Sequence, residues 1–341
     1  MRTSRLLAAA GIVALAAGIT ACAPAGAEEA TPAAGAESAA AFPVTIEHVY
    51  GETTITEKPE RIATVAWANH EVPLALGVVP VGMSKATWGD DDDNGVLPWV
   101  EDKLQELGAE TPVLFDETDG IPYELVADTK PDVILASQSG LTQEQYDTLS
   151  KIAPVVAYPE AAWGTSVNDM ITINSTAIGL AEEGQALIED LQAQADAALE
   201  KYSELKDKTL LFSYIDASDL SQVNYYTAID TRPGYLHDIG LPFPQVVEKT
   251  VGSEEFYLST SAEEVQVFDD VDVFVTYGDE SIIPLLQADP LMSKIPAIAA
   301  GRVAVLPDAT PLAASANPSP LSIPWGIEKY FAVLAKPLAA K

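Results

Sequence analysis

Short apolar runs alternate with longer helical patterns along the chain after residue 55. Six runs are strand candidates: Ile62–Ala66, Asp132–Ala136, Val155–Ala157, Thr209–Ser213, Val271–Thr276 and Arg302–Leu306. Between them, Glu71–Leu76 and Tyr235–Ile239 are short helix candidates that end at Gly77 and Gly240. Strands and helices in this alternation predict α/β layers with mainly parallel strand pairing.

The second half of the chain repeats short strings of the first half in the same order. The pairs are Leu76–Pro80 with Ile239–Pro242, Asp132–Leu135 with Asp272–Val275, and Leu149–Pro154 with Met292–Pro296. Each match is weak alone, but three in one order favour two related lobes. We place the N-terminal lobe at residues 42–163 and the C-terminal lobe at residues 207–341, because single cores usually split near the size of this chain.

A helical segment, residues 164–206, is predicted to connect the two lobes. It contains no proline, and apolar residues such as Met170 and Ala177 recur at helical spacing. Gly179 and Gly184 predict a break before a second helix. The predicted fold class is therefore α/β, with two Rossmann-like lobes joined by a long helix that permits only a small opening angle.

The N-terminus carries the pattern of an export signal. Arg2 and Arg5 precede a charge-free apolar stretch, Leu6–Ile19, and small residues lead to Cys22, the one cysteine of the chain. The arrangement resembles a bacterial lipobox, in which this cysteine receives lipid after residues 1–21 are removed. The alternative is an incidental cysteine in an ordinary signal peptide, but the chain offers no second cysteine for a disulfide.

The residues after the signal predict a tethered protein outside the cytoplasm. Residues 22–41 contain the lipidated cysteine and a small, polar, low-complexity stretch that reads as a flexible linker. No later segment reaches the 18 or so uninterrupted apolar residues of a membrane helix. We therefore expect a lipid-anchored protein on the outer face of a bacterial cytoplasmic membrane, whose only membrane contact is the anchor.

The acidic composition limits the possible partners. The formal net charge is −33, and it is near −35 once Arg2 and Arg5 leave with the signal. Nucleic acid is excluded as a partner because its phosphates need a basic surface. We expect a monomer.

A set of motifs in this chain resembles those of one group of proteins. The group consists of the substrate-binding lipoproteins of ABC importers for iron-siderophores, cobalamin or haem, in which one long helix joins two lobes. The motifs are Lys58–Ile62, Trp67–Glu71, Leu76–Gly82, Lys130–Ile134, Leu149–Val156, Ala300–Val303 and Trp325–Tyr330. The likeness covers roughly residues 43–338 and is greatest to the iron-siderophore group, including its ferric hydroxamate binders. It implies transport without catalysis, no cofactor, and an ABC permease with its ATPase as partners.

The resemblance also implies a shallow cleft between the lobes, lined by aromatic rings and a few polar groups. Flat rings suit a rigid ferric chelate, since they bury a large area at low entropic cost. The candidates for ligand contact are Trp67, Asn69, Lys85, Trp88, Ser137, Ser139, Tyr225, Tyr226, Arg232, Phe256, Tyr257, Tyr277 and Trp325. Tyr225 and Tyr226 would point to opposite faces of a strand, so one of the two is expected to face the ligand.

The charge of these candidates favours a particular chelate. Arg232 is one of three arginines after the signal, and Lys85 is the other basic candidate. A trianionic tris-catecholate would be disfavoured by so acidic a chain. We expect a neutral or cationic ferric hydroxamate, with haem or cobalamin as alternatives.

In the resembling group, one acidic residue on each lobe docks into basic pockets of the permease. Glu71, six residues before Gly77, is the candidate on the N-terminal lobe. The matching position before Gly240 is not acidic, so Asp238 is the candidate on the C-terminal lobe, with Glu254 or Glu255 as alternatives.

Other motifs are weaker. Asp90–Gly95 with Glu101 has the spacing of a calcium loop, but Pro98 falls inside it, which favours a solvated loop before a helix over residues 96–107.

Direct Zn²⁺ or Mn²⁺ binding is not favoured, because the three histidines are scattered along the chain at His48, His70 and His237. Iron is expected only within the chelate. An extracellular enzyme is the alternative of a different class, although no common catalytic motif is present.

Overall fold

The computed structural model describes residues 42–339, which belong to one compact unit. The predicted signal, Cys22 and the linker at residues 22–41 lie outside the described residues. None of the helices within residues 42–339 is both long and apolar enough to cross a bilayer.

The first half of the described chain contains seven strands and four helices. The strands are β1 (Val44–His48), β2 (Gly51–Ile55), β3 (Ile62–Thr64), β4 (Gly82–Ser84), β5 (Val113–Phe115), β6 (Val133–Leu135) and β7 (Val155–Val156). The helices are α1 (Glu71–Ala75), α2 (Pro98–Glu106), α3 (Tyr123–Asp128) and α4 (Gln143–Leu149). Strands β3 to β7 form a parallel sheet in the order β5-β4-β3-β6-β7, and β1 pairs with β2 in an antiparallel hairpin.

The central strands of this sheet are buried on both faces. All three residues of β3 and of β6 are buried. This is typical of a parallel sheet covered by helices on both sides. The apolar runs at Ile62–Ala66 and Asp132–Ala136 therefore predicted the strands correctly, although each strand is shorter than its run.

Two helices, α5 (Val167–Ala177) and α6 (Ala181–Lys201), form the connector. The break falls at Gly179, which has a φ of +72°. Gly184 lies inside α6, so its predicted place in the break is wrong. A side chain at Gly184 would meet Ser175, since a Cβ atom there would lie 2.1 Å from the Ser175 hydroxyl oxygen. Glycine is present at this position because the two helices approach each other closely.

The second half of the chain contains five strands and six helices. The strands are β8 (Leu210–Tyr214), β9 (Gln222–Tyr226), β10 (Tyr257–Ser261), β11 (Val273–Gly278) and β12 (Val303–Pro307). The helices are α7 (Thr231–Asp238), α8 (Gln245–Glu248), α9 (Ile282–Ala288), α10 (Pro296–Ala299), α11 (Pro311–Ser315) and α12 (Ser322–Ala339). Short 3₁₀ helices lie at Ser203–Leu205, Ala262–Phe268 and Met292–Lys294.

The sheet of the C-terminal lobe is mixed. Its order is β10-β9-β8-β11-β12, with β8, β11 and β12 parallel and β9 and β10 antiparallel to their neighbours. The expectation of mainly parallel pairing thus holds for the N-terminal sheet and for only part of the C-terminal sheet.

One apolar cluster links the connector to the C-terminal sheet. Met170 and Leu191 of the connector belong to the same buried cluster as Phe212 of β8, Val275 of β11 and Phe331 of α12. The second connector helix packs along α12 of the C-terminal lobe, whereas α5 contacts α1, β1 and β7 of the N-terminal lobe. The lobe boundaries drawn from the sequence stay a prediction.

Candidate functional site

The site is expected where the strand order of each sheet reverses, at the carboxyl ends of the strands. In the N-terminal sheet this point lies between β3 and β6, and in the C-terminal sheet between β8 and β11. Loops from the two lobes meet there. The rings of Trp88, after β4, and Tyr277, at the end of β11, lie 5.5 Å apart in an edge-to-face arrangement. Gly164 lies against Ile229, with room for no side chain.

Arg232 belongs to α7 of the C-terminal lobe, and its side chain is 17% exposed. Its guanidinium lies 3.6 Å from the ring centroid of Tyr226. Its Nε and Nη2 atoms donate to the two carboxylate oxygens of Asp230, at 2.8 and 2.7 Å. Burial disfavours the charged guanidinium, but the attraction of Asp230 outweighs it, so the pKa of Arg232 rises above its ordinary value. Arg232 is therefore a fixed, permanently charged donor on an aromatic platform.

Aromatic rings continue on both sides of Arg232. Tyr257 lies edge-on to Tyr226 at 5.5 Å, and Phe212 contacts both Tyr226 and Tyr277. The Tyr277 hydroxyl is buried and has no hydrogen-bond partner among the described residues. Burial raises the pKa of Tyr277 to about 12. The structure thus brings together four sequence candidates, Trp88, Tyr226, Arg232 and Tyr277, with Tyr257 beside them.

Two exposed aromatic residues in these loops were not predicted from the sequence. Trp163, after β7, has 38% exposure and a left-handed backbone with a φ of 62°. Its indole covers Gly140, where a Cβ atom would lie 2.3 Å from the indole nitrogen. Tyr214 ends β8 and has 50% exposure. The predicted candidate Phe256 is exposed in the same way, at 40%. The signal for Tyr214 was its position at the carboxyl end of a strand, whereas Trp163 lies in the loop that follows β7.

Lys85 is paired with an acidic neighbour. Its ammonium group lies 3.1 Å from a carboxylate oxygen of Asp116, and both side chains are partly exposed. Hydrogen bonds from Thr118 and from Lys85 hold the pKa of Asp116 at about 2. The two residues line an open recess of about 510 Å³ next to Trp88, so Lys85 adds little uncompensated positive charge.

Three polar candidates are buried inside the N-terminal lobe. Asn69, Ser137 and Ser139 have no exposed surface. The Asn69 amide donates to the carbonyl oxygens of Val65 and Gln138, at 2.9 and 2.8 Å, and its oxygen accepts from the Gln138 amide. The prediction of direct ligand contact is therefore wrong for these three residues. They fasten the loop after β3 to the loop after β6.

Two aromatic candidates face away from the cleft. Tyr225 is buried on the other face of β9, where it packs edge-on against Phe268 at 6.0 Å. Trp325 packs against Trp99 of α2, with ring centroids 5.1 Å apart, and Lys329 lies over its ring. Both predictions of ligand contact are corrected, since strand alternation turns Tyr225 inward and α12 carries Trp325 towards α2.

Trp67 occupies a strained loop. Ala66 and Ala68 on either side have φ values of 62° and 63°, a conformation that residues with a Cβ atom adopt rarely. The Ala66 amide donates to both carboxylate oxygens of Glu117, at 3.1 Å. The Trp67 indole nitrogen is buried without a partner among the described residues. Contact of Trp67 with ligand stays a prediction.

Glu71 is buried, with 1% exposure. Its carboxylate accepts hydrogen bonds from the Trp99 indole at 2.8 Å, from the Leu321 amide at 3.0 Å and from the Ser319 hydroxyl. Burial raises its pKa to about 7. Docking to a permease is therefore a wrong prediction for Glu71, because the chain at residues 319–321 covers it. Asp238 is exposed on α7 and stays a candidate.

The Asp90–Gly95 loop closes on itself. Asp90 accepts from the Gly95 amide at 2.6 Å, and the Asn94 amide donates to Asp92 at 3.0 Å and to Glu101. Oxygens of Asp90, Asp91 and Asp92 lie within 4.8 Å of one another. Pro98 is the first residue of α2. The arrangement fits the solvated loop before a helix that the sequence favours.

Comparisons with known proteins give consistent relatives. The model of the periplasmic binding protein family matches residues 62–310. One similar solved structure is the crystal structure of PiaA from Streptococcus pneumoniae TIGR4 in complex with ferrichrome. Its sequence is 48% identical, the TM-score is 0.83, and the match covers 86% of this chain and 98% of the PiaA chain. A periplasmic solute binding protein of Mycobacterium smegmatis MC2 155 is 27% identical, with a TM-score of 0.68, and covers 87% and 99%. YfiY of Bacillus subtilis strain 168, a probable siderophore-binding lipoprotein, is 29% identical over 68% of this chain and 69% of its own length.

Proposed function

Because the chain belongs to the periplasmic binding protein family, we propose that it captures a ferric siderophore of hydroxamate type between its lobes and delivers it to an ABC permease. The observation that carries this proposal is Arg232, which Asp230 holds over the ring of Tyr226 among the aromatic residues of the C-terminal lobe. No bond is made or broken, and the protein itself needs no cofactor.

The chemistry of the cleft suits a ferric hydroxamate. Such a chelate presents a rigid apolar shell with carbonyl and hydroxamate oxygens around the iron. Tyr226, Tyr257, Trp88 and Trp163 offer ring faces and edges for the shell. The Nη1 atom of Arg232 makes no hydrogen bond with Asp230, so it can donate to a carbonyl or hydroxamate oxygen of the chelate.

The charges of the cleft support a ligand without strong negative charge. Arg232 is paired with Asp230, and Lys85 is paired with Asp116. The formal charge of the whole chain is −33. A trianionic tris-catecholate would therefore meet little uncompensated positive charge, and an acidic protein would repel it.

The relatives support the same ligand class. PiaA, at 48% identity over 98% of its chain, was crystallised with ferrichrome, which is a ferric hydroxamate. YfiY is named as a siderophore-binding lipoprotein. Their likeness supports lipidation at Cys22 and a place on the outer face of the cytoplasmic membrane.

The proposed partners are the permease and ATPase of an iron importer. Asp238 is exposed on α7, beside the C-terminal wall of the cleft, and Glu160 and Glu254 line the same surface recess. These carboxylates suit basic pockets on a permease. Small closure of the lobes around the ligand would report occupancy to the permease, with the protein acting as a monomer.

Tryptophan fluorescence of residues 39–341 tests the ligand class. The titrants are ferrichrome, iron-free ferrichrome, a ferric tris-catecholate, ferric citrate, haem and cobalamin. We expect saturable quenching by ferrichrome and none by cobalamin. Quenching by haem or cobalamin alone would retain transport and overturn the ligand, whereas no response to any titrant would contradict the proposed function.

A further inference from the structure

We infer that Asp230 is a positioning residue that sets the charge class of the ligand, an inference that rests on the proposed function. Asp230 is 4% exposed and lies immediately before α7. Its carboxylate makes three hydrogen bonds, all with Arg232: to Nε, to Nη2 and to the backbone amide at 3.0 Å. One buried acid therefore fixes both the start of the helix and the guanidinium.

This geometry gives Arg232 a direction as well as a charge. A two-point pair between arginine and carboxylate holds the guanidinium plane in one orientation. The plane is held over Tyr226, and Nη1 is the guanidinium nitrogen that lies outside the pair. The ligand therefore meets a single oriented donor rather than a mobile cation.

The ion pair between Asp230 and Arg232 carries almost no net charge. The loops after β8 and β11 reach the same edge of the sheet and carry Asp216 and Asp279, both exposed. Because Asp230 cancels the charge of Arg232, the carboxylates of Asp216 and Asp279 give the C-terminal wall a net negative charge. An anionic chelate is repelled, while an uncharged one loses nothing and still receives a hydrogen bond.

Removal of the Asp230 charge should therefore change selectivity and not only affinity. Asp230→Asn keeps an oxygen that can cap α7 and accept from Arg232, but it leaves the guanidinium charge uncompensated. Asp230→Ser keeps a capping hydroxyl and is too short to reach the guanidinium. In both variants the cleft gains one net positive charge at its centre.

The experiment measures dissociation constants of residues 39–341 for ferrichrome, which is uncharged, and for a ferric tris-catecholate of charge −3. We expect the wild type to prefer ferrichrome, and the ratio of the two constants to move at least about tenfold towards the tris-catecholate in Asp230→Asn, and in the same direction in Asp230→Ser. Asp128→Asn removes an equal charge from an exposed position at the end of α3, outside the loops that carry Asp216 and Asp279, and should leave the ratio unchanged. Thermal unfolding of each variant checks that it is folded.

The outcomes separate this inference from the proposed function. If the wild type binds neither chelate, the proposed function fails. If the wild type binds ferrichrome but the folded Asp230 variants keep its selectivity, the inference is overturned. An equal shift in Asp128→Asn would also overturn it, because overall charge would then explain the effect. If Asp230→Asn does not fold, Asp230→Ser alone decides by the same ratio.

Discussion

Trp163 stands half exposed at the mouth of the cleft, and its position over Gly140 holds the ring in place. An aromatic residue that the bound ligand covers can contribute about 2 kcal/mol to affinity. We therefore expect Trp163→Ala to weaken ferrichrome binding roughly thirtyfold, measured by calorimetric titration.

Trp325→Ala is the matched control, because Trp325 packs on Trp99 away from Arg232. It should lower thermal stability and leave ferrichrome affinity within about twofold of the wild type, the scatter of such measurements. Equal losses of affinity in both variants would contradict the assignment of Trp163 to the ligand.

Glu71 should make stability depend on pH in an unusual direction. Burial raises its pKa from 4.5 in the unfolded chain to about 7 in the folded protein. The folded state therefore retains the proton to higher pH, and the stabilisation is complete below pH 4.5 and lost as the pH rises through 7. Relative to Glu71→Gln, the wild type should lose roughly 2–3 kcal/mol of unfolding free energy between pH 4.5 and 8.

Urea unfolding of the two proteins at several pH values measures this difference. His70 acts in the opposite direction, since burial lowers its pKa to about 4, but it is present in both proteins and cancels. Glu124→Gln, at an exposed position on α3, is the control and should follow the wild type. A pH-independent difference between the wild type and Glu71→Gln would disprove the buried titration.

Some residues of the site could be predicted from the sequence, and others could not. Arg232 could, because arginine is rare in this chain and two tyrosines stand nearby. Glu71 could not, because the group that buries it, Ser319, lies 248 residues away. Asn69 could not for the same reason, since its partner Gln138 comes from another strand end. Burial by distant segments leaves no local signal.

At the scale of elements, the close approach of α5 and α6 depends on Gly184. Gly184→Ala would place a methyl group within 2.5 Å of the Ser175 Cβ atom. Overpacking of this kind costs about 1–3 kcal/mol, partly offset by the better helix propensity of alanine. We expect a net loss of stability, measured by urea unfolding.

Ser175→Gly in the same protein tests the cause. The double variant should recover part of the loss, so that the two substitutions are not additive. Additive effects, or a Gly184→Ala variant more stable than the wild type, would show that the helices are not in close contact there.

The elements that escaped prediction have short or polar sequences. Strands β4 and β5 have three residues each, too few for a pattern. Strand β9, with the sequence QVNYY, alternates buried and exposed residues, as an antiparallel strand does. Strands β3, β6 and β11 were predictable, because each contains an apolar run that is buried on both faces of the sheet.

At the scale of the whole molecule, the connector limits how far the lobes can move. Its helices share one apolar cluster with the C-terminal lobe, and Glu71 fastens α1 to the chain before α12. We expect small-angle scattering profiles of residues 39–341 with and without ferrichrome to superimpose closely. A large decrease in the radius of gyration on binding would contradict a stiff connector.

The fold class and the family followed from the order of motifs along the chain, and both are confirmed. The alternation of strands and helices and the helical connector can be predicted from local patterns, whereas the spatial order of the strands was not predicted. The side chains that face the cleft depend on how two lobes meet, which local patterns do not encode.

Calorimetric titration of residues 39–341 with ferrichrome, repeated with Arg232→Gln, tests whether Arg232 binds the chelate. We expect binding of one ferrichrome per protein, no comparable binding of the iron-free chelator, and at least about tenfold weaker binding in the variant, because a hydrogen bond from a charged donor is lost. Ferrichrome binding that is unchanged in Arg232→Gln, or absent from the wild type, would contradict this expectation.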